Sequence, residues 1–199
     1  MNLYGASGHA KVIIDILKRS KIEVSKIFDD DENINKLLGY KVTLFNKSNK
    51  EDHFIISIGN NRIRKSISQK LDAAFGKAIH PESIIDPTVT IHEGTVIMAG
   101  VVINSSVKIG KHGIINTSSS VDHDCILGNF VHISPNATLC GGITVGEGTQ
   151  IGAGSTIIPG ITIGKWCTIG AGTVVIKDVP DGATVVGNPG RVLSLPAGR

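Results

Sequence analysis

The sequence ITVGEG TQIGAG STIIPG, residues 143–160, belongs to a six-residue repeat that decides the fold of most of this chain. The repeat stays in phase from about Val89 to Lys177, and the third place of each unit is Ile, Leu or Val. The first half of each unit favours a short strand, and the Gly, Asn, Ser and Asp of the second half favour a turn. The period therefore predicts a parallel β-solenoid in which one apolar side chain per unit faces inward. The fifteen inward residues are Ile91, Ile97, Ile103, Ile109, Ile115, Val121, Leu127, Ile133, Leu139, Val145, Ile151, Ile157, Ile163, Ile169 and Val175.

Residues 1–78 lack this period and alternate instead between predicted strands and helices. The predicted strands are Asn2–Tyr4, Val24–Phe28, Gly39–Leu44 and His53–Ile58, and the predicted helices are Ala10–Ser20 and Asn61–Ala74. Helical spacing assigns Val12, Ile13, Ile16 and Leu17 to the inner face of the first helix, and Ile63, Ile67 and Leu71 to that of the second. This order predicts a small parallel α/β domain of the Rossmann-like type, followed by the solenoid in residues 79–199. The last residues, Pro196–Arg199, are expected to be unstructured.

The composition excludes several classes of protein. Twenty Lys and Arg balance 17 Asp and Glu to a net charge of +3, and no basic run predicts binding to nucleic acid. No apolar stretch approaches the length of a membrane span, and the first residues lack the pattern of a signal peptide. The three cysteines are odd in number and scattered, which is typical of a reduced, cytoplasmic protein.

Three polar loops are expected to meet at one edge of the α/β sheet, because each follows a predicted parallel strand. They are Gly5–His9, the pair Asp29 and Asp30, and the turn at Gly59. Ligands of open α/β sheets bind at this edge, and a glycine turn before a helix allows close approach of a phosphate. The loop alone does not distinguish a nucleotide sugar from NAD as the ligand. Because it does not complete the G-x-G-x-x-G pattern, it argues against an oxidoreductase.

His123 stands out among the seven histidines of the chain. It alone has acidic neighbours on both sides, in Asp122-His123-Asp124, and a Ser, Thr and Asn run precedes it. A carboxylate beside an imidazole raises its basicity, which suits a general base near neutral pH. The alternative is an ordinary solvated histidine on a solenoid corner, since Val121 and Leu127 occupy the inward places around it.

The motifs YGASGH, FDD, IGNN, NTSS, DHD and GNP occur in this order and span nearly the whole chain. Together they resemble the sialic acid O-acetyltransferase / UDP-4-amino-sugar N-acetyltransferase family of hexapeptide-repeat acyltransferases, above all its bacillosamine-pathway N-acetyltransferases. The resemblance implies a left-handed β-helix with three units per coil, assembled as a homotrimer. It also implies acetyl-CoA as co-substrate between neighbouring solenoids, no required metal, and a UDP-linked sugar held by the N-terminal domain.

The resemblance also assigns roles to single residues. It implies that the nucleotide sugar contacts Ser7, Gly8, His9, Asp29, Asp30 and Gly59. His123 is then the general base, Asp124 raises its basicity, and Asn116 orients the acetyl group or the sugar. His132 is implied to bind acetyl-CoA, with backbone contacts from Ala153 and Ala171. The bacillosamine enzymes carry Glu after the base, whereas this chain carries the shorter Asp124.

The role of Gly141 is predicted from the length of one coil, eighteen residues, which the resemblance supplies. Gly141 lies one coil after His123, and adjacent parallel strands are about 4.8 Å apart. A backbone N–H beside a general base is placed to stabilise an oxyanion. Gly141 is therefore the predicted oxyanion donor.

These observations predict acetyl transfer to the 4-amino group of a UDP-linked 4-amino-4,6-dideoxy sugar for bacterial glycan synthesis. Three alternatives remain at this stage. The acceptor could be sialic acid or a related free sugar, acetylated on oxygen, or an amino sugar carried on GDP or dTDP. The chain could also be a non-catalytic, nucleotide-regulated scaffold, which would turn over no acetyl-CoA.

Overall fold

The computed structural model describes residues 1–46 and 52–194, so the expectation for Pro196–Arg199 lies outside the described residues. The first part is a six-stranded sheet with two helices. Its strands are β1 Asn2–Tyr4, β2 Lys26–Phe28, β3 Lys36–Leu37, β4 Tyr40–Thr43, β5 His53–Ile56 and β6 Ala74–Phe75, and its helices are α1 Gly8–Arg19 and α2 Asn61–Lys70. None of the described helices is long and apolar enough to cross a membrane.

The sheet has the order β3-β4-β2-β1-β5-β6, with β1 between β2 and β5. Strands β2, β1 and β5 pair in parallel, as predicted, and β4 extends the parallel part. The short strands β3 and β6 were not predicted; β3 pairs antiparallel with β4, and β6 pairs parallel with β5. The carboxyl ends of β1, β2 and β5 therefore meet at one edge, where the three polar loops begin.

Two predictions about the helix faces were wrong. Val12 is exposed, and Ile14 is buried in its place on α1. On α2, Ile63 is 50% exposed, whereas the polar Asn61 and Arg64 are buried. The buried face of α2 is divided. Asn61 and Arg64 donate to backbone carbonyls of the solenoid, which requires polar side chains there, whereas Ile67 packs in an apolar cluster with residues of the sheet.

The described residues from Ala78 onward form the predicted parallel β-solenoid, whose short strands form three flat faces and which ends in one antiparallel strand. The first face contains β7 Ala78–Ile79, β10 Val96–Ile97, β13 Ile114–Ile115, β16 His132–Ile133, β19 Gln150–Ile151, β22 Thr168–Ile169, β24 Thr184–Val186 and β25 Arg191–Ser194. The second contains β8 Ile84–Ile85, β11 Val102–Ile103, β14 Ser120–Val121, β17 Thr138–Leu139, β20 Thr156–Ile157 and β23 Val174–Val175. The third contains β9 Thr90–Ile91, β12 Lys108–Ile109, β15 Ile126–Leu127, β18 Thr144–Val145 and β21 Thr162–Ile163.

The core of the solenoid is the column of branched side chains that the repeat predicts. Fourteen of the fifteen predicted inward residues are buried, and Ile91, in the first coil, is partly buried against them. Apart from β25, which pairs antiparallel with β24, the solenoid strands pair in parallel with strands one coil away, for example Ile115 with Ile133. Burial of each such side chain contributes about 1.5–3 kcal/mol before chain entropy is subtracted.

The α/β part and the solenoid share a hydrophobic core. Leu3 and the buried face of α1 pack in one cluster with Val96, Met98 and Ile114 on the outer side of the first face. Helix α2 binds the corner between the third and first faces through hydrogen bonds to His112, Phe130 and Gly148. The N-terminal sheet edge is therefore fixed against one side of the solenoid.

Candidate active site

His123 lies on the corner between the second and third faces, in the turn that joins β14 to β15. The turn needs a left-handed residue after His123, and Asp124 takes that conformation with φ 60°. Asp tolerates it better than most residues, because its short side chain can bond locally. The corner therefore presents an imidazole and a carboxylate side by side at the surface.

The His123–Asp124 pair has the geometry of a base with an orienting carboxylate. His123 Nδ1 lies 2.8 Å from Asp124 Oδ2, so the shorter Asp spans the distance. This hydrogen bond raises the pKa of His123 above its ordinary value of 6.5, and the charge of Asp122 adds to the effect. With Nδ1 facing a carboxylate, the neutral ring carries its proton there and keeps Nε2 as a free acceptor. The pair can take a proton from a substrate at Nε2.

Gly141 lies directly against the His123 ring, as the coil arithmetic predicts. A Cβ on Gly141 would fall 2.6 Å from both Cε1 and Nε2 of His123, so glycine is the residue that leaves the ring in this position. Its backbone carbonyl accepts a hydrogen bond from Gly160 at 3.0 Å, whereas no residue in the described part of the chain accepts one from its N–H. A donor beside the imidazole is thus unused by the fold.

The carboxyl edge of the N-terminal sheet is held together by polar contacts. Asp29 accepts hydrogen bonds from the backbone of Ala6 at 2.6 Å and of Asp31 at 3.0 Å. Its carboxylate therefore fastens the glycine loop to β2, a role that the sequence did not reveal. Ser57 donates to the Gly5 carbonyl at 2.6 Å and joins the same loop to β5.

Two glycines and one carboxylate remain open at this edge. A Cβ on Gly8 or Gly59 would meet no atom within 4 Å, so the backbone at both positions borders free space. Asp30 accepts a hydrogen bond from Tyr4 through Oδ1 at 2.6 Å, and its other oxygen is available. Ser7 is exposed at the start of α1. The edge has the open backbone that a phosphate-bearing ligand needs.

His132 faces the N-terminal domain from β16 on the first face. Its Nε2 lies 3.0 Å from Nδ2 of Asn116, and this amide nitrogen can only donate, so Nε2 accepts. Burial lowers the pKa of His132 to about 4, assisted by the charge of Arg64 and opposed by a backbone hydrogen bond to Gly59. Burial likewise lowers the pKa of His9 to about 4. These two imidazoles are neutral at physiological pH.

The predicted site residues fall into separate groups within one chain. His123, Asp124 and Gly141 occupy the corner opposite the first face, where the N-terminal domain, His132 and Asn116 lie. Ala153 and Ala171 stack in one exposed column on a further corner, between the first and second faces. A single chain therefore does not bring the imidazole base to the nucleotide edge.

Arg64 was missed by the sequence analysis. It is 1% exposed and binds both the loop after β5 and the solenoid corner, through Gly59 and Phe130 among others. Asn61 adds a hydrogen bond to Gly148 on the next coil, at 3.0 Å. The only signal in the sequence was the polar character of these positions on the inner face of α2.

Comparison with known proteins agrees with this architecture. Residues 1–71 match the family model described as PglD N-terminal domain, and residues 124–158 and 142–177 match the one described as bacterial transferase hexapeptide (six repeats). The GDP-perosamine N-acetyltransferase of Escherichia coli O157:H7 is 32% identical over 163 residues, 74% of this chain and 73% of that protein. The chain belongs to the hexapeptide-repeat family of sugar N-acetyltransferases.

Two further similarities place this N-acetyltransferase among enzymes of nucleotide-linked amino sugars. The UDP-N-acetylbacillosamine N-acetyltransferase of Bacillus subtilis (strain 168) is 38% identical over 110 residues, which cover 49% of this chain and half of that protein. The crystal structure of PerB from Caulobacter crescentus, solved with CoA and GDP-perosamine, superposes with a TM-score of 0.91. It is 36% identical, and the match covers 97% of this chain and 96% of PerB.

Proposed function

We propose that this N-acetyltransferase moves the acetyl group of acetyl-CoA to the 4-amino group of a nucleotide-linked 4-amino-4,6-dideoxy sugar. The observation that carries the proposal is the His123–Asp124 pair, with a free Nε2 beside the unused Gly141 N–H. Such a pair can deprotonate an amine, and such a donor can stabilise the oxyanion of a thioester. The relationship to the two N-acetyltransferases supplies the class of substrate.

The reaction balances with His123 as the only proton carrier. The amine nitrogen attacks the thioester carbonyl carbon while His123 Nε2 takes one proton from that nitrogen. The carbonyl oxygen becomes an oxyanion, for which the Gly141 N–H is the proposed donor. The C–S bond then breaks, CoA leaves as a thiolate, and the imidazolium returns the proton to sulfur. An amide and free CoA result.

The carboxyl edge of the N-terminal sheet is the proposed site for the nucleotide. Gly8 and Gly59 border open space for the phosphates, and Asp30 has an oxygen free to accept from the base or the ribose. The sequence favoured UDP, whereas the GDP-perosamine enzymes match over a larger share of this chain than the UDP enzyme does. We therefore place a GDP-linked sugar beside the UDP-linked one as the second candidate.

A second copy of the chain is proposed to complete the site. Because His123 lies on the corner opposite the face that holds the N-terminal domain, the base and the nucleotide edge belong to different copies. A homotrimer lets each His123 corner meet a neighbour, with acetyl-CoA in the cleft between two solenoids. His132, Asn116, Ala153 and Ala171 then line the cleft from the neighbouring copy.

The donor nucleotide is tested by binding and by turnover. GDP, UDP, dTDP and free sialic acid are each added to the purified protein, and the melting temperature is followed. The amino sugars of the three nucleotides are then compared by thiol release from acetyl-CoA. A shift with one nucleotide and turnover with its amino sugar support the proposal. Stabilisation by free sialic acid alone, with acetylation of its oxygen, would replace it.

A further inference from the structure

The guanidinium of Arg64 is fully engaged at the junction of the two domains. Nε donates to the His112 carbonyl at 2.9 Å, and Nη2 donates to Asn61 Oδ1 at 2.8 Å and to the Phe130 carbonyl at 3.0 Å. Nη1 donates to the carbonyls of Ile58 and Gly59, each at 3.0 Å. All five N–H groups of the side chain thus meet uncharged acceptors. The buried charge is solvated by the protein without a bonded carboxylate.

Four of these five acceptors belong either to the solenoid or to the loop after β5 of the N-terminal sheet. His112 and Phe130 occupy the same solenoid corner on successive coils, and Gly148 on the next coil binds the neighbouring Asn61. Ile58 and Gly59 form the loop after β5, which borders the proposed nucleotide edge. Arg64 therefore sets the position of this loop relative to the solenoid.

The same contacts reach His132, which follows Phe130 on the first face. Gly59 accepts from Arg64 and also forms a backbone hydrogen bond with His132. On the other side of the His132 ring, Nδ2 of Asn116 donates a hydrogen bond to Nε2 at 3.0 Å. The neutral ring then carries its proton on Nδ1.

We propose that Arg64 is a positioning residue of the acyl-transfer site, which fixes the Gly59 carbonyl against His132 and so holds that imidazole in one orientation and tautomer. The proposal rests on the proposed function, because His132 is placed there in the cleft that receives acetyl-CoA. The titratable groups that face His132 are Arg64 on α2 and His9 at the start of α1. The Arg64 charge also opposes protonation of both rings.

The test compares Arg64→Gln, Arg64→Lys and the control Lys65→Met. Lys65 follows Arg64 on α2 and also bonds the solenoid, but through Glu147 rather than through Gly59 or His132. Each protein is labelled with ¹⁵N-histidine, and the ring signals of His132, assigned with a His132→Gln variant, are followed against pH. Michaelis constants for the nucleotide sugar and for acetyl-CoA are measured on the same samples.

In Arg64→Gln the positive charge is gone, so protonation of His132 is expected at a higher pH than in the parent protein. The value of kcat/KM is expected to fall about tenfold to a hundredfold, because the ring and the loop lose their fixed position. Arg64→Lys keeps the positive charge but loses the planar guanidinium and its five N–H donors. In this variant His132 should therefore stay neutral while its ring signals move. Lys65→Met should leave the ring signals unchanged.

The proposal is overturned if the His132 signals of Arg64→Gln coincide with those of the parent protein over the whole pH range. If Arg64→Gln does not fold, unchanged His132 signals in Arg64→Lys overturn it equally. The ring signals do not depend on turnover. If no nucleotide sugar is acetylated while the signals still shift, the proposed function fails and the role of Arg64 in the fold stands.

Discussion

At the scale of the residue, two histidines of this chain illustrate how position decides basicity. His123 is exposed on a corner beside two carboxylates, and its pKa is raised. His132 is enclosed between a face of the solenoid and the N-terminal domain, and burial lowers its pKa to about 4. The first can accept a proton at neutral pH, whereas the second stays neutral and can only orient a partner.

Replacement of His123 by alanine tests the base directly. The side chain is exposed and supports no core contact, so the fold should be retained. We expect kcat to fall by about 10²–10⁴-fold with a smaller effect on KM, the usual size of general-base catalysis. Steady-state kinetics and circular dichroism give the two measurements, and near-normal turnover in a folded variant contradicts the role.

Asp124→Asn should change the pH dependence of the reaction. The pKa of His123 is raised above 6.5. Below this raised pKa the ring is protonated and cannot act as a base. The neutral amide cannot stabilise the imidazolium, so the acidic limb of kcat/KM should move towards lower pH in the variant. The maximal rate should fall as well, because the ring is a weaker base. An acidic limb at the same pH in both proteins would disprove the coupling.

Gly141→Ala should displace the His123 ring. The added Cβ would fall 2.6 Å from two ring atoms, and the exposed ring can move away at little cost in stability. We expect a loss of kcat of about tenfold or more, since small misplacements of catalytic groups are costly. Gly142→Ala would not be a suitable control, because Gly142 has φ 69° and alanine would strain the backbone there. Gly128→Ala is unsuitable too, since its Cβ would meet Glu147 backbone. Unchanged kinetics in Gly141→Ala would argue against close packing of ring and glycine during turnover.

At the scale of the element, the repeat made the solenoid predictable and the helices less so. An inward branched side chain every sixth residue predicts parallel strands with one inward place per unit, and the positions from Ile97 to Val175 are buried as expected. The predicted buried faces were wrong at Val12, where the apolar Ile14 is buried instead, and at Ile63, where polar side chains are buried instead. Part of the buried face of α2 bonds a row of backbone carbonyls, and the polar character of Asn61 and Arg64 was the only signal of this partner in the sequence.

The inward and outward residues of one strand offer a matched pair for stability. In β21, Ile163 is fully buried and Thr162 is exposed. We expect Ile163→Ala to lower the free energy of unfolding by about 2–5 kcal/mol, since it leaves a cavity in a closed core. Thr162→Ala should change it by less than about 0.5 kcal/mol. Urea titration measures both, and equal effects would contradict the assigned register.

At the scale of the whole molecule, the motifs predicted candidate residues of the site but not which side of the solenoid each of them occupies. His123 is close in sequence to Asn116 and His132. The fold nevertheless places His123 on the corner opposite the first face, where Asn116, His132 and the N-terminal domain lie. Eighteen residues carry the chain once around, as the pairing of Ser120 with Thr138 shows, so neighbours in sequence point in different directions. The proposal that a second copy completes the site rests on these three faces, and it agrees with the homotrimer that the family resemblance implies.

Mixed oligomers test this arrangement. His123→Ala removes the base, and Gly8→Tyr fills the open space at the nucleotide edge, so each variant alone should be inactive. If every site combines two copies, random mixing in equal amounts should restore about a quarter of the sites. Refolding or co-expression of the two variants, followed by an acetyl-transfer assay, gives the measurement. No recovered activity in a verified mixed trimer would place the whole site within one copy.

The most direct measurement of the central claim is the structure of the product. The full chain is incubated with acetyl-CoA and a GDP- or UDP-linked 4-amino-4,6-dideoxy sugar, and the product is analysed by NMR and mass spectrometry. We predict one acetyl group on the 4-amino nitrogen, formed with one equivalent of free CoA and abolished in His123→Ala. An unmodified sugar, or an acetyl group on oxygen, would contradict the account.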